Sequence, residues 1–284
     1  MDLRKHVVKI AGIITLLSFQ FCKKQTDSYT AQSYKQYYPL TVGKYMLYRL
    51  DSLVFVDFDS KQEIHSYQAK DLVDEEMTDN IGRKSFRIRR MIRNLDGTGE
   101  WRDIATFMAT PLDHSLEYVE ENQRYIRLKD PVRESFYWDG NSYIDLTDEL
   151  SYLQFWDYNY KDVGQAFSTN DTDFNNTITV LHVDESSGDV ELFPNSFASK
   201  DYSVEVYSKD LGLVYKDLVT WTYQATPVTS DCRALSATDS IACPVNFNCD
   251  SLAAAIGGYV KCDTLRIANA YSGFGIKLSI LDHN

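Results

Sequence analysis

At 284 residues, 44% hydrophobic and 25% charged, the chain is long enough for one large domain and too apolar for disorder, collagen or coiled coil. Its formal net charge of −12 opposes an electrostatic grip on nucleic acid or on anionic lipid headgroups, so DNA-binding and polybasic membrane-surface classes are excluded. The aromatic load is heavy, with 20 Tyr, 14 Phe and 4 Trp, and the expected fold class is all-β.

The chain opens on a basic stretch holding Arg4, Lys5 and Lys9, followed by Ile10–Phe21 (IAGIITLLSFQF), which carries no formal charge. A membrane-spanning helix needs about 20 apolar residues to cross ~30 Å of hydrocarbon, so this shorter run reads as a secretory signal over residues 1–21. It ends at Cys22 without a small-x-small cleavage site. A Cys directly after a short apolar run resembles a bacterial lipobox, in which the thiol is acylated and becomes the new N-terminus. Phe19, Gln20 and Phe21 stand where the strict pattern has Leu and two small residues, and the competing reading is an ordinary signal cut elsewhere. The expectation is lipidation at Cys22. Multiple acyl chains at ~0.8 kcal/mol per buried methylene hold such a protein on a bilayer, here in the cell envelope as an outer-membrane lipoprotein. Residues 22–36, polar after Lys23 and Lys24, read as a tether.

Residues 37–284 read as a single β domain. Lys44–Phe58 carries Tyr, Leu, Val and Phe without helical spacing, and a polar turn leads into His65–Val73 as its hairpin return. Ser85–Ile92 alternates until Arg90, where a bulge or strand end is expected. Asp96-Gly97, a strong hairpin signal, precedes Trp101–Met108. Leu116–Val119 and Tyr125–Leu128 flank Glu120–Gln123 as another hairpin. Thr177–Val183, Val204–Tyr207, Gly212–Tyr223 and Gly275–Leu281 complete ten to twelve strands. Asn195–Lys200 and Leu252–Ile256 are the places for short helices. The pattern predicts an antiparallel sheet curled into an open barrel or sandwich.

Cys232, Cys243, Cys249 and Cys262 fall within a C-terminal segment, residues 226–270, that reads as an insertion. An even number of clustered cysteines in an exported chain implies two disulfides with three pairings open. Zinc modules use C-x₂₋₄-C pairs, and the spacings here are wider.

Four segments carry a family likeness: Tyr37-Tyr38-Pro39-Leu40-Thr41-Val42-Gly43-Lys44-Tyr45, Val119–Leu128, Trp138-Asp139-Gly140-Asn141 and Val206–Tyr215, with His283-Asn284 at the end. In this order they resemble a family of uncharacterised lipoproteins of the Bacteroidota. Met46 stands where that family often has Trp, and its cysteine segment varies. The resemblance implies a secreted, lipid-anchored β fold and no established activity. Pro39 and Gly43 read as an entry turn, and Gly212 as a tight backbone position between two strands.

Local signatures of chemistry are sparse. No G-x-S-x-G, P-loop or G-x-G-x-x-G motif occurs, and no two histidines of the mature chain lie close in sequence. His182 reads as a satisfied strand histidine rather than a catalytic one. Asp171-x-Asp173-x-Asn175 begins like a calcium loop but has Asn176 in place of Gly and His182 in place of Glu, and Asn and Asp are also turn residues. No metal and no cofactor is expected. The carboxylate pairs Glu75-Glu76, Glu120-Glu121 and Asp57 with Asp59 suit either a solvated strand edge or a glycosidase, which sets two carboxyls about 5–10 Å apart. In Tyr152–Tyr160 (YLQFWDYNY) five of nine residues are aromatic. Strict alternation puts Tyr152, Gln154, Trp156, Tyr158 and Tyr160 on one face, and Tyr152, Trp156, Tyr158 and Tyr160 are the candidate binding residues. The function expected is a non-enzymatic binding or structural module of the envelope. Its partners are the membrane, through the lipid, and an apolar or glycan ligand or another envelope protein. An envelope hydrolase using paired carboxylates is the alternative.

Overall fold

Alternating apolar and polar residues form strands wherever Gly, Asn or Asp supplies the turn between them. In the computed structural model, described over residues 32–145, 153–228, 231–234, 240–242, 260–262 and 266–284, these are β1 (Tyr45–Val56), β2 (Lys61–Thr78), β3 (Lys84–Asn94), β4 (Arg102–Pro111), β5 (Ser115–Glu120), β6 (Gln123–Lys129) and β7 (Tyr137–Trp138). The second half supplies β8 (Tyr158–Thr169), β9 (Thr172–Ser187), β10 (Ala198–Ser208) and β11 (Gly212–Val228). It continues with β12 (Asp231–Ala234), β13 (Ser240–Ala242), β14 (Val260–Cys262) and β15 (Arg266–His283). Two hairpins turn on adjacent residues with positive φ: Glu121-Asn122 (51° and 62°) and Asn170-Asp171 (47° and 59°). Such turns match the right-handed twist of the flanking strands. Asp171 is therefore a turn residue, and Asp173 and Asn175 belong to β9 rather than to a metal loop.

Twelve strands make one antiparallel sheet in the order β6-β5-β4-β3-β2-β1-β15-β11-β10-β9-β8-β7, nearly closed into a barrel. The fold is all-β. The two ends of the sheet meet at a seam: Ile126 N–H donates to Gly140 O (2.8 Å), and Trp138 Nε1 donates to Ile126 O (2.8 Å). The Tyr160 hydroxyl adds two bonds there, accepting from Lys129 N (3.0 Å) and donating to Lys129 O (2.9 Å). Between β1–β4 the outer face carries ion pairs such as Arg87–Asp74 (2.9 Å) and Arg89–Asp103 (2.7 Å), a surface made for water. β12–β14 form a separate three-stranded sheet.

One end of the barrel is capped by residues 32–43. Gln32 bridges Val132, Tyr34 N–H donates to Asp130 (2.7 Å), Tyr37 donates to Asn176 (3.0 Å), and Asp210 N–H donates to Gln36 O (2.6 Å). Residues 32–36, read above as tether, thus pack on the body, because the buried ring of Tyr34 and the Ser33 hydroxyl find partners there. Gly43 (φ 91°) makes the entry turn into β1, and Gly212 (φ 121°) the tight start of β11.

Two expectations are corrected. Asn195–Lys200 is a turn leading into β10, not a helix, since Ala198 onward pairs with β11 from Ala198↔Tyr223. Arg90 does not break the alternation of β3: Phe86, Ile88, Arg90 and Ile92 all face inward, and the irregularity belongs to β4, where Ile104 is the extra residue. Cys22, Tyr152, Cys243, Cys249 and Leu252–Ile256 lie outside the described residues.

Candidate functional site

Inside the barrel, inward strand positions that are apolar elsewhere become charged near mid-height. Arg127 on β6 binds Glu205 on β10 through two nitrogens (Nε–Oε2 3.0 Å), and its Nε also donates to Tyr207 Oη (2.9 Å). Lys216 on β11 lies 3.4 Å from Glu205 and 3.8 Å from Glu120 on β5. Arg90 makes a two-pronged pair with Asp71 on β2, both bonds 2.6 Å. The Arg127 guanidinium also sits over the Tyr118 ring at 4.2 Å. Tyr118 and Arg127 border two cavities, one on each side of this layer. The first, of about 80 Å³, is walled by Trp156, Tyr158, His182 and Leu153; the second, of about 40 Å³, lies beneath the cap at Tyr38 and Leu211.

Bulges aim the polar groups. β5 and β6 pair Leu116↔Leu128 and then Glu117↔Ile126, which leaves Arg127 as the extra residue. β9 and β10 pair Ser203↔Val183 and then Val204↔Leu181, which leaves His182 extra. A bulge adds one residue against its partner strand, bends it and re-aims a side chain. Here it lets a buried residue of each strand adjoin a second buried one, Arg127 with Leu128 and His182 with Val183.

His182 is 4% exposed and its Nδ1 hydrogen-bonds Ser203 Oγ at 2.8 Å. Its Nε2 has no hydrogen-bond partner among the described residues. The imidazole stacks on Trp156, with ring centroids 5.1 Å apart and planes 4° from parallel, and meets Tyr158 at 4.4 Å. Burial lowers its pKa to about 4, helped by Lys216 and Arg127 and opposed by Glu205. Burial pushes the Glu205 carboxyl up, but Arg127 and then Lys216 outweigh it and hold the group well below the usual carboxylate range. Glu120 is lowered in the same way: burial opposes, Lys216 and Arg127 prevail.

The aromatic segment reaches this site through a turn rather than a strand. Leu153–Trp156 is a short turn (Trp156 N–H to Leu153 O, 3.2 Å), held by Asn141 Nδ2 donating to Leu153 O (3.0 Å) and by Asp157 N–H donating to His182 O (2.7 Å). Strict alternation therefore begins only at Tyr158, and Gln154 does not share a face with it. Tyr158, 2% exposed, lines the cavity and donates to Asn141 Oδ1 (2.9 Å). Gly140 lies so close to the Tyr158 ring that any β-carbon there would collide with it. Trp156 is half-buried on the cavity wall, whereas Tyr160, fully buried, serves the seam. Phe155, next to Trp156, points to solvent at 66% exposure.

Arg127, Glu205, Lys216 and Ser203 were not singled out from the sequence. The available signal was a charge at an inward phase, as in Val204-Glu205-Val206, where Glu205 stands among strand hydrophobics. No protein-family model, curated protein or solved structure matches this chain.

Proposed function

We propose that the chain is an exported, lipid-anchored envelope protein whose barrel binds a small molecule without transforming it. The observation that supports this most is the first cavity, with aromatic and aliphatic walls around the charged cluster, His182 and Ser203. Small-molecule sites combine apolar walls with a small number of placed polar groups in this way. Glycoside hydrolysis by paired carboxylates needs one carboxyl kept protonated as the general acid. Glu120 and Glu205 are instead both held ionised by basic neighbours, an arrangement that fixes charges rather than delivers protons. The apolar run ending at Cys22 and the likeness to Bacteroidota lipoproteins support the envelope attachment.

An uncharged, environment-sensitive aromatic dye titrated into the mature protein tests the binding reading. Replacing Trp156 by Ala is expected to weaken dye capture at least ~10-fold, about 1.4 kcal/mol. The stability cost should be smaller than the ~3–5 kcal/mol of emptying a fully buried Trp site. Unchanged dye affinity alongside a loss of that full size would mark Trp156 as core filling and overturn the reading.

A further inference from the structure

We propose that the first cavity takes an uncharged, planar small molecule with a single hydrogen-bonding group, which docks on Nε2 of His182. This rests on the binding reading above and names its ligand class. Three independent features of the cavity point the same way.

The first is charge balance. In the buried cluster Glu120 and Glu205 face Arg127 and Lys216, two acids against two bases, while Glu121 lines the cavity from the exposed hairpin turn, where water solvates it. A charged ligand would add an uncompensated charge to a desolvated cluster that is already neutral, which costs more than it returns. A neutral ligand leaves the cluster intact.

The second is the orphaned nitrogen. A buried polar atom without a partner carries a desolvation penalty of ~1–3 kcal/mol, so each one calls for an explanation. His182 lines the cavity, its Nδ1 is spoken for by Ser203, and its Nε2 is left over. A serine hydroxyl either donates or accepts, so Nε2 is a donor in one tautomer and an acceptor in the other. A ligand hydroxyl suits both.

The third is shape. The stacked parallel rings of Trp156 and His182 border the space, Tyr158 meets His182 beside them, and aliphatic Leu218 and Ile276 also line it. A planar ring buries its faces against such walls and gains from offset or edge stacking.

Four probes with one ring in common test the class at neutral pH: toluene, phenol, benzoate and benzylammonium. Titration into the mature protein is followed by tryptophan fluorescence and by the ¹⁵N shift of His182 Nε2. Phenol is expected to bind at least ~10-fold tighter than toluene and than either ion, and to move the Nε2 resonance. In the paired variant His182→Phe with Ser203→Ala, which leaves no hydroxyl unpartnered, the preference for phenol over toluene should vanish while toluene still binds. If that variant does not fold, the probe ranking and the Nε2 shift of the unaltered protein decide. Equal binding of phenol and toluene with a stationary Nε2 resonance overturns the role of His182. Tightest binding by benzoate or benzylammonium overturns the uncharged class. Failure of all four probes in protein that still captures the dye overturns the ligand class alone, whereas loss of dye capture as well overturns the binding reading.

Discussion

The imidazole of His182 is kept neutral by burial first and by the nearby Lys216 and Arg127 second, against the pull of Glu205, and this ties stability to pH. In the folded protein the group protonates only near pH 4, whereas in the unfolded chain it protonates near its ordinary 6.5. Between those values the unfolded state binds more protons, so stability falls as pH drops from 6.5 to 4. The total is on the order of 3 kcal/mol. Glu205 takes over below that range: its folded pKa lies under its ordinary 4.5, so its contribution is lost as pH falls below 4.5. Denaturant melts at several pH values should show a slope between pH 6.5 and 4.5 that His182→Phe flattens. An equal slope in that variant would place the titration elsewhere. At this scale the sequence was least informative. His182 sits at an alternating strand position in TITVLHV, and nothing in that string marks it as a bulge residue with one nitrogen satisfied and one bare. Bulges depend on the register of the partner strand, which is a property of two segments remote in sequence.

Strands and hairpins were far more legible, because period and turn chemistry are local. Tyr45–Val56 and the hairpin around Glu121-Asn122 follow directly from alternation and from residues that tolerate positive φ. β8 was obscured because Asp162 and Gly164, both with positive φ, interrupt it, and its pairing to β9 skips between Lys161 and Gln165. The register also narrows an ambiguity left by cysteine spacing. Cys232 of β12 lies directly opposite Cys262 of β14. Opposed residues of an antiparallel pair are separated by about 4.5–5.5 Å between Cα atoms, within the span of a disulfide. Of the three pairings, Cys232–Cys262 with Cys243–Cys249 is therefore the one expected. Proteolysis of unreduced mature protein followed by mass spectrometry should recover a linked peptide containing Cys232 and Cys262. A Cys232–Cys243 link or four free thiols would defeat it.

For the molecule as a whole, Gln32 joins the capped end of the barrel by its bridge to Val132, while Glu121 of the hairpin turn lines the first cavity. Replacing Cys22 with Ser and fractionating cells should yield soluble protein or an uncleaved precursor. Membrane retention with normal processing would rule out Cys22 as the attachment. The charged layer at mid-height carries a separate consequence. Arg127 on β6 is hydrogen-bonded across the barrel to Glu205 and Tyr207 on β10 between the two cavities, and the Arg90–Asp71 pair lines the second cavity, which the cap borders at Tyr38. The barrel is therefore a cup with a stopper in its base, not a pipe. Whatever enters past Trp156 has to leave by the same door. For the binder proposed above, dwell time is then set at one rim, and cargo is held and released rather than conducted.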